Sequence, residues 1–208
     1  VSRLATPKQT VIGIMSTLPI QGQTGSPMMS PEASQQPWMI VEHLRQSFEV
    51  RNVDTKVEEI PKEIKVLMIV HPKNLSENTL YAIDQFVLHG GRVMAFVDPY
   101  SESDQPPRDP NNPLAAMQAP RHSELTKLFD AWGIELVAKK AVGDLKVAQR
   151  VQVRKGSRVM PINYPVWMDL NTSDYFNKQD IVTGKLGNIA VASAGSLVKK
   201  GNVGTQMI

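Results

Sequence analysis

The chain has 208 residues, 41% of them hydrophobic and 21% charged, and a net charge of +3. That is the profile of an ordinary soluble globular protein of one large domain, or of one domain with a small appendage. The charge is too small, and the lysines and arginines too scattered, for a nucleic-acid-binding stripe. The absence of cysteine excludes a cysteine nucleophile, a thiolate metal site and a disulfide frame.

No apolar run approaches the roughly 18 residues needed to span a bilayer. The start, "VSRLATPKQT", has neither a Met nor the apolar core of a signal peptide. The stretch is therefore expected to be a piece of a longer chain, with targeting or membrane segments outside it.

The β-branched run "KQTVIGIMS" (Lys8 to Ser16) predicts a buried first strand. A polar loop follows, Thr17 to Pro37, whose length marks it as functional or mobile. Pro37 suits the entry to a helix over Trp38 to Ser47, with Ile40, Val41, Leu44 and Phe48 on its apolar face. Trp38 is expected in the core. "FEVRNVD" (Phe48 to Asp54) alternates like a strand with one wet face. "EIKVLMIVHP" (Glu63 to Pro72) is nearly continuous in apolar residues, as in a central parallel strand buried on both faces.

Asn74 with Glu77 predicts a capping pair opening a helix that carries Leu80, Ile83 and Val87 and stops at Gly90-Gly91. "RVMAFV" (Arg92 to Val97) reads as another buried strand. The succession β-α-β-α-β predicts an α/β fold with a doubly wound, mostly parallel sheet.

The strand ends at Ser16, His71 and Asp98 would then share one edge of the sheet. A second proline-rich loop, Pro99 to Pro120, lies near them, and a helix from about Ser123 to Trp132 leads through Gly133 into a strand, "IELVAKKAV". After residue 145 the texture changes. "KVAQRVQVRKGSRVMPI" (Lys146 to Ile162) predicts a hairpin around Lys155-Gly156-Ser157. "NYPVWMDL" adds an extended segment, and "GNIAVASAGSLV" a final strand. The expected division is an α/β sheet domain over 1–145 with a β-rich extension over 146–208 packed on it.

The chemistry-bearing motifs are absent from this sequence. There is no Gly-x-Ser-x-Gly nucleophile elbow, no His pair four apart around a Glu, and no phosphate-binding loop. No cofactor and no metal is expected. Carboxyl ends of strands are where open α/β sheets bind ligands, so Ser16, Thr17, His71, Asp98 and Tyr100 form the candidate ligand-binding set. Asp98 could hydrogen-bond a ligand or act as a base, or it could cap nearby amides where Asp-Pro breaks the strand. A hydrolase or lyase built on Asp98 with His71 or Ser16 is the enzymatic alternative. A third possibility is a coupling domain with an exposed apolar patch around Met28, Met29 and Met39.

The segments "VIGIMSTLPI", Ile60 to Pro99 and "LTKLFDAWGIEL", followed by "NYPVWMDL", closely resemble the GldG-like auxiliary proteins of ABC-type transport systems, over about Gln9 to Leu197. The resemblance implies a domain outside the cytoplasm at the inner membrane, in the periplasm, anchored by membrane segments beyond this stretch. It also implies ABC permease and ATPase partners. The implied fold is similar to the intraflagellar-transport N-terminal domain and to class I glutamine-amidotransferase-like and flavodoxin-like folds. The cysteine nucleophile of those amidotransferases has no counterpart here. The family supplies no catalytic residues, so the resemblance implies a non-enzymatic role, with a small-molecule or sugar ligand among the possibilities.

Overall fold

Four parallel strands in the order β2-β1-β3-β4 make the sheet of the amino-terminal half. They are β1 (Val11–Ser16), β2 (Glu49–Asn52), β3 (Ile64–Val70) and β4 (Arg92–Phe96). The computed structural model describes residues 9–22, 36–106, 111–112 and 114–201. The chain folds as two compact units, Val1–Val97 and Asp98–Ile208.

In the first unit the chain runs outward from β1 to the edge strand β2 through α1 (Met39–Ser47). It then returns beside β1 as β3 and runs the other way through α2 (Glu77–Leu88) to β4. Right-handed crossovers that leave the centre in opposite directions put their helices on opposite faces, so this sheet is doubly wound as expected. Val41 of α1 packs with Ile12, Ile14, Ile20 and Met68 on one face. The buried Ala82 and Ile83 belong to α2.

Three expectations are corrected here. Ile40 and Trp38 are exposed, because only the stripe through Val41, Leu44 and Phe48 reaches the sheet. The cap of α2 is Ser76, whose hydroxyl accepts the Thr79 amide at 3.2 Å, while Asn74 sits before it in left-handed backbone at φ 51°. The strand β4 is not buried on both faces. It is an edge strand, and Met94 and Phe96 stay about half exposed where helical cover ends.

The helix α2 ends as its glycines predict. Gly90 has φ 87° and donates to the Val87 carbonyl, and Gly91 donates to Phe86 at 2.8 Å. A Cβ on Gly91 would lie 2.5 Å from the Phe86 ring.

Among its described residues the second unit holds α3 (Ala115–Gln118), α4 (Thr126–Trp132) and five strands. Of the expected strand after Gly133 only β5 (Ile134–Leu136) forms. The hairpin of β6 (Ala148–Lys155) and β7 (Arg158–Leu170) turns at Gly156-Ser157, and Gly156 at φ 65° supplies the positive dihedral such a turn needs. "NYPVWMDL" is the continuation of β7, not a separate segment. The segment expected as one final strand is two. β8 (Ile189–Ala192) pairs antiparallel with Trp167–Leu170 of β7, and β9 (Leu197–Lys199) pairs with β5. The change of texture near residue 145 coincides with the entry to this hairpin, inside the second unit.

Candidate functional site

Ser16 ends β1, and His71 follows the last residue of β3. These strands are neighbours with Ser16 opposite Val70. They flank the point where the winding direction reverses, the usual ligand crevice of such sheets. Here the protein's own groups span it. The Ser16 hydroxyl accepts the Leu18 amide at 3.0 Å, forming a tight turn. The Thr17 hydroxyl crosses to donate to the His71 backbone carbonyl, and the His71 amide donates to the Phe96 carbonyl at 2.9 Å. The carboxyl ends of β1, β3 and β4 are thus laced together through one residue.

That residue is 1% exposed and holds φ 49°. Left-handed backbone is uncommon outside glycine, though His tolerates it better than most. Both His71 backbone groups are hydrogen-bonded in this conformation, which accounts for its persistence.

Asp98 and Tyr100 open the second unit. Asp98 and Ser123 pair twice: the Asp98 amide donates to the Ser123 hydroxyl and the Ser123 amide to the Asp98 carbonyl, each at 2.9 Å. Ser101 donates its amide to Arg121, whose guanidinium lies 5.6 Å from the Tyr100 ring centroid. This is cation–π range. Glu102, which sequence reasoning passed over, accepts from Trp167 Nε1 at 3.2 Å and Ser193 Oγ at 2.9 Å. It ties the segment after Asp98 to β7 and to the turn after β8. No local motif announces it, because its partners are 65 and 91 residues away. Trp167 is partly buried with its indole N–H on this carboxylate.

Each unit carries a cleft. That of the first unit, about 650 Å³, lies under the carboxyl end of α2 and at the amino ends of β3 and β4. Ile60, Ile64, Ala82 and Phe86 line it with Glu58, Lys65 and His89. It is thus at the sheet edge opposite the predicted crevice.

The cleft of the second unit, about 410 Å³, begins at Pro99 and Ser123, next to Asp98. Its apolar lining is Leu125, Phe129, Ile134 and Leu136. Its polar lining includes His122, Glu124, Glu135 and Lys139. Lys200 meets Asp130 there at 2.7 Å, and this hydrogen bond raises the lysine pKa and keeps the ammonium charged. Both volumes fall in the range of small-molecule sites.

The model of the family described as "ABC-type uncharacterized transport system" matches residues 9–208, so both clefts, the second unit and all but the first eight residues of the first fall inside it. The chain belongs to this family. It is an auxiliary component of an ABC transport system. No curated protein and no solved structure matches the chain significantly. Among the described residues of this ABC transport auxiliary protein, no helix is long and apolar enough to cross a membrane. No group of three or more metal-ligating side chains gathers there either. The stretch containing Met28 and Met29, considered for a coupling patch, lies outside the described residues, while Met39 is 70% exposed.

Proposed function

We propose that this chain is the extracytoplasmic, non-enzymatic recognition domain of its transport system, working beside a permease and an ATPase carried on other chains. Its ligand, or a segment of a partner, binds in the cleft of the second unit beside Asp98. The observation that carries this reading is the make-up of that cleft, an apolar floor of Leu125 and Phe129 under a rim of both charges. Such sites hold a ligand by burial and orient it with a few polar groups.

The set expected from sequence fits a structural role at its amino-terminal members. The Ser16 and Thr17 hydroxyls close turns and lace strands, so a reacting group there would have to displace them. Asp98 supports the cleft through its backbone pairing with Ser123, and Tyr100 with Arg121 flanks that pairing along the chain. The resemblance to GldG-like proteins supports placing the domain outside the cytoplasm.

One observation favours the hydrolase or lyase alternative. Strained, buried residues such as His71 are found at active sites. The lacing of its backbone to Thr17 and Phe96 explains the same strain without chemistry.

The test is thermal unfolding of the chain against sugars, peptides and peptides copied from permease loops. A compound at 100 times its dissociation constant adds about 2.7 kcal/mol. The shift should vanish in Lys139→Ala or His122→Ala and survive in Tyr81→Ala, which alters the other cleft. No shift with any compound or permease peptide would overturn the proposal.

A further inference from the structure

Among the described residues, the hairpin of β6 and β7 is paired with a third strand only at its base. The strand β8 reaches Trp167–Leu170 of β7, and Ser193 and Asp144 hold the Val166 and Pro165 carbonyls. Beyond Pro165, residues 149–164 form a two-stranded arm in which Gln149 faces Tyr164 and Lys155 faces Arg158. The pairing jumps from Ala148–Met168 to Gln149–Tyr164, a bulge at Pro165 to Trp167 that re-aims the arm at its root. Seven residues a side make it about 23 Å long at roughly 3.3 Å per residue. A lone two-stranded hairpin is only marginally stable in water. An arm of this length is therefore either an idle extension or a contact surface.

Its composition separates those cases. Alternation puts Val151, Val153, Met160, Ile162 and Tyr164 on one face, and all but Val151 are exposed. The other face carries Arg150, Arg154 and Val159, while Lys155 opposite Arg158 ends the apolar face at the tip. Residues 149–164 hold no Asp or Glu. Four cations sit there against a net charge of +3 for the whole chain, so all other residues together carry a net −1. The like charges of Lys155 and Arg158 face each other directly across the tip, an arrangement unfavourable in the free arm and relieved by an anion.

We propose that this arm docks the domain onto the surface of a bilayer containing anionic lipid. The apolar face settles among the headgroups with Lys155 and Arg158, at its tip, on phosphates, while Arg150 and Arg154 add longer-range attraction from the other face. Long basic side chains keep their charge at the interface while their stems lie on apolar surface. Contact stays shallow, because the open backbone edges of a two-stranded arm cannot enter hydrocarbon unpaired. A bilayer fits better than an acidic protein surface because the arm joins a charge of one sign to an apolar face. The transport system is itself membrane-associated. The inference goes beyond the cleft reading and stands whichever cleft is occupied.

The test is co-sedimentation of the chain with phosphatidylcholine vesicles, with and without about one-third phosphatidylglycerol. Each basic side chain near an anionic surface is worth roughly fivefold in binding. Lys155→Gln with Arg158→Gln should therefore weaken retention by the anionic vesicles on the order of tenfold or more. Val153→Ser with Met160→Ser should weaken it as well, and both pairs should leave the unfolding temperature near wild type. Equal retention by neutral and anionic vesicles, or by neither, would overturn the proposal. So would unchanged binding in both double variants. Binding to a soluble acidic loop of the permease, with none to vesicles, would replace the lipid by a protein partner.

Discussion

Two stretches of this molecule carry runs of β-branched and apolar residues and meet opposite fates. In β1 and β3, Ile14, Met15, Leu67 and Ile69 are entirely buried, with neighbouring strands on either side. In the arm of β6 and β7, Val153, Val159, Met160 and Ile162 are all exposed. A large part of the difference lies in what flanks each strand. The crossover helices α1 and α2 cover the central sheet, whereas the arm extends past the last residue that β8 can reach. Apolar side chains stabilise a fold only where something covers them. Where nothing does, they remain available to a partner.

Substitutions sharpen this contrast. Leu67→Ala should remove about 2–5 kcal/mol from the free energy of unfolding, the usual cost of a large-to-small change in a packed core, read by chemical denaturation. Ser76→Ala should cost about 1 kcal/mol through loss of the α2 cap. Asn74→Ala, by contrast, removes no cap. In the arm, Val159→Thr should change stability by no more than about 0.5 kcal/mol, as for surface sites. A loss like that of Leu67→Ala would mean that the arm is part of a core after all.

The smallest effect concerns a turn of the second unit. The Asp180 carboxylate accepts the Thr183 amide and hydroxyl and the Val182 amide, and these bonds lower its pKa below the ordinary 3.8, the Thr183 amide first. A lowered folded-state pKa gives stability that is fully present above the unfolded value and lost as pH falls through the folded one. The unfolding temperature of the wild type should therefore slightly exceed that of Asp180→Asn above about pH 4, and the gap should close on further acidification. A gap that widens in acid would reverse the assignment.

The same contrast explains what could be read from sequence. The parallel sheet, its two crossover helices and the glycine stop at Gly90-Gly91 were legible because each rests on local periodicity or turn chemistry. The hairpin was legible from Gly156. Burial was misread at β4, since "RVMAFV" looks like a central strand and only topology reveals an edge. The cap was misread because Asn74 and Ser76 both precede an acidic or polar third residue, and backbone conformation decides between them. "GNIAVASAGSLV" read as one strand because its division into β8 and β9 depends on partners far along the chain. Of the candidate set, Ser16 does end β1 and His71 follows β3, but β4 stops at Phe96, two residues before Asp98. What the side chains do there was not legible. Nothing local told that Thr17 would bridge to His71, or that Glu102 would reach Trp167 and Ser193.

The most direct measurement is residue-resolved hydrogen exchange of the chain, alone and with vesicles containing phosphatidylglycerol. The account predicts that amides of Val11–Ser16 and Ile64–Val70 exchange only through global unfolding. Those of residues 149–164 should exchange far faster in the free chain and slow down selectively on anionic vesicles. Arm amides as protected as those of β3 in the free chain, or indifferent to the vesicles, would contradict it.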